Sequence, residues 1–185
     1  GKRFTLTTTS QGPHSLRLQL AEHLFRMPEE AFRVVTYEVG GGFGMKIFMY
    51  PEQPLVLYAA RDLGRPVRWA GERSPDAFPS DYHGRDQVND IDVGFDDDGR
   101  ILALSVKTNA NLGAFVSNFA PYMATECGAA MLSSVYAIPT IALEVHGVFT
   151  NTVPVDAYRG AGHPEAIYVI ERAVDAVARE LGVEP

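Results

Sequence analysis

Phe4, Leu6 and Thr8 alternate with polar neighbours over residues 3–9, the pattern of a half-buried strand. Ser10-Gln11-Gly12 interrupts it, and Pro13 suits the first turn of a helix. Leu16, Leu20, Leu24 and Met27 recur near the helical period, so the spacing predicts an amphipathic helix over 15–27. Residues 32–39 are rich in β-branched side chains and predict a second strand, which runs into Gly40-Gly41-Gly42-Phe43-Gly44. Pro54 opens a helix through Leu63, Gly64 suits its carboxyl end, and 66–69 reads as a short strand. Residues 71–86, broken by glycine and proline, read as a connecting loop.

Beyond that loop, 89–95 and 100–109 flank Asp96-Asp97-Asp98-Gly99, and an Asp-Gly step between alternating runs predicts a hairpin. Residues 111–134 show no clean period. Ile141, Leu143, Val145 and Phe149 predict a further strand. Pro164 opens a last helix with Ile167, Ile170, Val174, Val177 and Leu181 on one face, and Gly182 ends it. The expected architecture is α+β: mixed sheets with packed helices. A first α/β unit spans 1–70 and a second spans 87–185, within one domain.

Composition narrows the function. The chain has 185 residues, 46% hydrophobic and 21% charged, an ordinary globular balance that excludes low-complexity disorder. Its net charge of −7, with no basic run, argues against nucleic-acid or anionic-membrane partners. One cysteine, Cys127, excludes an internal disulfide, a cysteine-ligated zinc site and an iron–sulfur cluster built by this chain. No apolar stretch reaches the roughly 18 residues of a membrane span.

Two glycine loops stand out. The Gly40–Gly44 run leaves a strand and lets backbone N–H groups approach a ligand closely. It fails the dinucleotide fingerprint at Met45, and no Ser or Thr follows Lys46 to make a phosphate loop. The second, Ala157-Tyr158-Arg159-Gly160-Ala161-Gly162-His163-Pro164, opens the last helix. Helix starts attract anions, and Arg159 adds a planar donor fork beside this one. Asp92, Asp96, Asp97 and Asp98 miss the calcium-loop spacing, since Ser105 stands at the closing position. The five histidines show no paired metal-ligand spacing, and Cys127 reads as an ordinary buried thiol.

Three segments in order change the picture: Thr8-Thr9-Ser10-Gln11-Gly12-Pro13-His14, then Val39 through Lys46, then the AYRGAG stretch running into His163-Pro164-Glu165-Ala166. On these motifs the chain resembles the molybdenum-binding subunit of the xanthine dehydrogenase, aldehyde oxidase and aerobic carbon monoxide dehydrogenase family. The resemblance covers essentially the whole chain and implies the first molybdopterin-binding domain of a longer subunit, one lobe of its cofactor cleft. It implies that Gln11 and Arg159 act beside the metal's oxygen ligands, and that the Phe43 N–H faces an oxo group. Gly42, Gly44, Gly160, Ala161 and Gly162 would line the cofactor, with no protein side chain ligating molybdenum directly.

The implied activity is hydroxylation with water as oxygen source, with molybdopterin (the cytosine dinucleotide being one form) as cofactor. Iron–sulfur and FAD centres would sit on partner subunits or domains. The remainder of the same large subunit, a small-molecule substrate and a cytoplasmic setting complete that expectation, with a periplasmic setting known for some members. The family's general base, a Glu in a Gly-x-Gly-Glu motif, has no counterpart in these residues, so the chain alone is expected to be inactive. Carbon monoxide oxidisers carry Cys where this chain has Gly160. Purine hydroxylases carry Glu, Arg and Phe where it has Ile47, Cys127 and Ala161. The resemblance therefore favours an aldehyde or N-heterocycle in a pocket touching Ile47, Cys127 and Ala161. The rival expectation is a non-catalytic binding or assembly module that keeps the fold without the cofactor.

Overall fold

The computed structural model describes residues 3–77 and 81–185. The chain divides into two compact units, Gly1–Pro79 and Ser80–Pro185. Among the described residues, no helix is long and apolar enough to cross a membrane.

In the first unit, β1 (Phe4–Thr7) pairs in parallel with β2 (Phe32–Val35), placing Phe4 beside Phe32 and Leu6 beside Val34. Helix α1 (Pro13–Gln19) crosses between them, and α2 (Glu52–Leu63) follows. Leu6, Leu16, Leu20, Phe32 and Leu57 share one buried core. The Phe4 and Phe32 rings stack at 5.2 Å and both meet Phe25. Burying a ring such as Phe32 stabilises the unit by about 1.5–3 kcal/mol.

Four expectations need correction here. The first helix keeps its regular turn only to Gln19. Leu20–Phe25 widens, and Arg26 stops it in a left-handed conformation (φ 51°), where the Met27 N–H returns to the Ala21 carbonyl. Strand β2 ends at Val35 rather than residue 39, because β1 turns away and the Thr36 hydroxyl engages the Ser10 backbone instead. Residues 66–69 form no strand, since no described neighbour offers them an edge. Helix α2 starts two residues before Pro54. The Gln53 side chain accepts the Tyr50 N–H at 3.0 Å and so secures its first turn.

In the second unit, β3 (Gln87–Phe95) and β4 (Ile101–Gly113) form the expected antiparallel hairpin. Asp96 closes its turn, its Oδ1 accepting the Asp98 and Arg100 N–H groups. Strand β5 (Ile141–Phe149) joins the other edge of β4 in parallel, giving the order β3-β4-β5. Between β4 and β5 lies a short helix, α3 (Ala120–Tyr122), which continues through the wider turn Met123–Cys127. This is the stretch whose periodicity was unreadable.

Helix α4 (His163–Leu181) packs on the sheet through Ala166, Val169, Ile170 and Ala173 against Leu104 and Val106. The expected stripe holds at Ile170 and Val177, which are buried, and at Val174, which packs against this cluster, but Ile167 is exposed. Ala166 and Ala173 flank the fully buried Ile170, and their small side chains let the helix axis approach the sheet.

Candidate functional site

Gln11 stands just after β1, on a segment laced to the glycine run. The Gln11 N–H donates to the Lys46 carbonyl at 3.0 Å, and the buried Ser10 hydroxyl donates to the same oxygen at 3.3 Å. The Gln11 side chain then reaches into the run, where its Oε1 accepts the Gly44 N–H at 3.1 Å and the Lys46 N–H at 3.4 Å. Two backbone donors on one oxygen fix the amide's orientation, so Nε2 is the outward end. Nε2 has no partner among the described residues and is a presented donor.

The run is shaped to admit this carboxamide. A Cβ on Gly42 would lie 2.1 Å from Gln11 Oε1, so a side chain there would push the carboxamide out of its place. Phe43 is left-handed (φ 54°) although it carries a side chain, a strain that marks functional loops. Its ring is exposed and folds back over Gly41. The Lys46 ammonium is occupied internally, donating to the Val39 carbonyl. Ile47 packs toward Gly12 rather than standing free beside the run.

The second loop leads from β5 into α4. It hangs from Asp156, only 1% exposed, which sequence reasoning missed. Asp156 Oδ1 accepts the Ala157 N–H at 2.6 Å, and Oδ2 accepts the Phe119 N–H at 3.1 Å. Its own N–H donates to the His83 carbonyl at 2.7 Å. The one available signal was an acid closing the apolar run Val153-Pro154-Val155.

Within the loop, the Ala161 N–H donates to the Tyr158 carbonyl and the His163 N–H to the Gly160 carbonyl. These turns use the Ala161 amide internally and leave the Arg159 side chain exposed at the amino end of α4. Gly162 is left-handed (φ 84°), and a Cβ there would lie 2.5 Å from the Met123 carbonyl and 2.7 Å from Cys127 Cβ. Cys127 is half-buried and lies against this loop.

The first unit therefore offers backbone amides and one oriented carboxamide, and the second offers a guanidinium at the start of α4. Among the described residues, no group of three His, Cys, Asp or Glu side chains is placed to hold a metal ion. Gly42 and Gly162 mark places where backbone comes within Cβ-filling distance of its neighbours. Such loops fit an oxygen-rich, anionic cofactor whose metal brings its own ligands, gripped by hydrogen bonds from the protein.

Comparison with known proteins agrees with this chemistry. The family model described as molybdopterin cofactor-binding domain matches residues 1–185. The chain is 38% identical over 187 residues to the carbon monoxide dehydrogenase large chain of Hydrogenophaga pseudoflava, covering 98% of this chain and 22% of that one. It is 33% identical over 170 residues to 6-hydroxypseudooxynicotine dehydrogenase complex subunit gamma of Paenarthrobacter nicotinovorans, covering 92% and 21%. Among solved structures, quinoline 2-oxidoreductase from Pseudomonas putida 86 superposes with a TM-score of 0.92 at 35% identity, covering 99% and 23%. The chain thus spans under a quarter of the length of these relatives. With the α+β fold and both glycine loops in place, the chain belongs to the molybdopterin cofactor-binding domain family of the xanthine dehydrogenase and carbon monoxide dehydrogenase type.

Proposed function

We propose that this chain supplies one side of the cofactor cleft in a molybdenum hydroxylase that oxidises an aldehyde or N-heterocycle with water as the oxygen source. The observation that carries the reading is the fixed Gln11 carboxamide. Both backbone donors fall on Oε1, so Nε2 can only donate, which is what an oxo or hydroxo oxygen requires. Two relatives are named for N-heteroaromatic compounds, quinoline 2-oxidoreductase and nicotine 6-hydroxylase, and this favours an N-heterocycle. Gly160 offers no thiolate for a second metal, which weighs against carbon monoxide.

When bound, molybdopterin would supply a two-electron redox metal carrying its own oxygen and sulfur ligands. The protein's part is placement. Gln11 Nε2 and the backbone N–H of Phe43 would polarise oxygens on one side. Arg159, at the positive end of α4, would offset developing negative charge in the reacting group. Gly42, Gly44, Gly160 and Gly162 would let the backbone of the two loops come close to the cofactor. Ile47, Cys127 and Ala161 would bound the substrate, with a small apolar face that admits a flat ring. Iron–sulfur and flavin partners would carry the electrons away, and a base from the remainder of the subunit would take the proton.

Arg159→Ala in the complete subunit tests the assignment. We expect turnover to fall about 10²–10³-fold at unchanged molybdenum content. Wild-type turnover at equal loading would remove Arg159 from the site.

A further inference from the structure

Arg85 has no assigned role, and its surroundings are unusual. It is left-handed (φ 64°) despite carrying a long side chain. The backbone around it is pinned from both sides: His83 bridges to Val155, and the Asn111 N–H donates to the Asp86 carbonyl at 3.0 Å. Gly84 presses so closely on Tyr158 that a Cβ there would lie 2.7 Å from Tyr158 Cβ.

From this strained position the guanidinium makes three contacts with the loop that presents Arg159. Nη2 donates to the Arg159 carbonyl. The plane of charge lies 4.7 Å from the centre of the Tyr158 ring. Nε lies 3.9 Å from Glu165 Oε1, in the first turn of α4. The Glu165 side chain is only 11% exposed, and its other oxygen, Oε2, is buried with no hydrogen-bond partner among the described residues. Arg85 is its ion-pair partner among the described residues. One planar fork thus ties together a backbone carbonyl before the glycines, an aromatic ring and the helix after them. A lysine ammonium cannot reproduce that combination.

We propose that Arg85 is a positioning residue: it clamps residues 158–165 and so fixes the direction in which Arg159 presents its guanidinium. The consequence for turnover rests on the reading of Arg159 above, whereas the clamp itself does not. Strain at Arg85 persists because its three contacts over-determine the conformation.

The test uses the complete, molybdenum-loaded subunit assembled with its partners, in Arg85→Ala, Arg85→Lys, Arg159→Ala and double-variant forms. Hydrogen exchange over residues 157–166 reads the clamp. Arg85→Ala should speed exchange of the Ala161 and His163 amides about tenfold, and Arg159→Ala should leave them unchanged. Turnover is followed on the best substrate from a panel of aldehydes and N-heteroaromatics. Arg85→Ala should lower kcat about tenfold to a hundredfold with KM little changed. In the Arg159→Ala background the same change should have no further effect. Arg85→Lys should restore molybdenum content but not exchange protection, which keeps the test decisive if the alanine variant fails to assemble. Unchanged exchange in both Arg85 variants would overturn the clamp, and multiplicative losses in the double variant would overturn its action through Arg159. Wild-type turnover of Arg159→Ala alongside faster exchange in Arg85→Ala would instead overturn the site reading and leave the clamp standing.

Discussion

Residues 40–46 keep their shape through hydrogen bonds to an exposed carboxamide, whereas residues 157–163 hang from a carboxylate that is 1% exposed. In the first loop the Gln11 carboxamide lies at the surface, and replacing it costs little because water can take its place. In the second, shape and stability have the same source. The Asp156 anchor and the packing of Gly162 on Cys127 cannot be disturbed without loosening the whole unit. Chemistry and folding can therefore be separated at Gln11 and are entangled at Asp156. That asymmetry decides which variants report on function.

The comparison breaks most sharply at Gly162. Gly162→Ala forces a Cβ into the Met123 carbonyl from a left-handed backbone, and should cost about 3 kcal/mol in denaturant unfolding of the complete subunit. A loss below about 1 kcal/mol would show that the second loop can relax as the first does. Asp156→Ala comes next. It leaves a buried loop anchor without its carboxylate and two part-buried amides without their acceptor, and should cost about 2–3 kcal/mol, with molybdenum content falling alongside.

Gln11→Glu sharpens the contrast from the other side. The carboxylate still accepts the Gly44 and Lys46 N–H groups, so stability should change by less than about 1 kcal/mol. The outward donor becomes a charged acceptor, and turnover should fall roughly 10²-fold at equal molybdenum loading. Turnover near wild type would mean that Nε2 faces no acceptor in the working enzyme. The smallest effect belongs to Arg172→Ala. Arg172 is half exposed and pairs with Asp175 at 2.9 Å on the outer face of α4. Stability should stay within about 0.5 kcal/mol and turnover at the wild-type level, a baseline for the Arg159 comparison.

Local signals carried the legible parts of the fold. The Asp-Gly step specified the β3–β4 hairpin, because that turn is decided by a few adjacent residues. Alternation located β5, and Pro164 with Gly182 marked the ends of α4 within a residue. Failures came where a distant partner decides. Residues 66–69 have strand-like composition but no edge to join, and β2 stops when β1 turns away. The stripe of α4 was misread at Ile167, because close approach to the sheet favoured Ala166 and Ala173 over larger neighbours.

The site divided along the same line. Gln11, Phe43 and Arg159 are positions that motifs alone single out as candidates. The bond from Gln11 to the glycine run spans 33 residues, and Arg85 meets the Arg159 carbonyl across 74. No pattern in the chain announces either pairing. Asp156 was hidden for the same reason: its value lies in the amide of Phe119, 37 residues earlier.

The parallel pairing of β4 with β5 has a consequence in time. The β3–β4 hairpin joins neighbours in sequence and can close within about 1–10 μs. Strand β5 reaches β4 only after residues 114–140 have condensed between them, a non-local step that is intrinsically slower. Until then the apolar edge of β4 around Leu104 and Val106 is open to strand pairing with other chains. The loop bearing Arg159 lies between β5 and α4, so it takes its shape only once both have docked. Crowded synthesis at high temperature should therefore cost yield through that open edge before it costs anything in the finished fold.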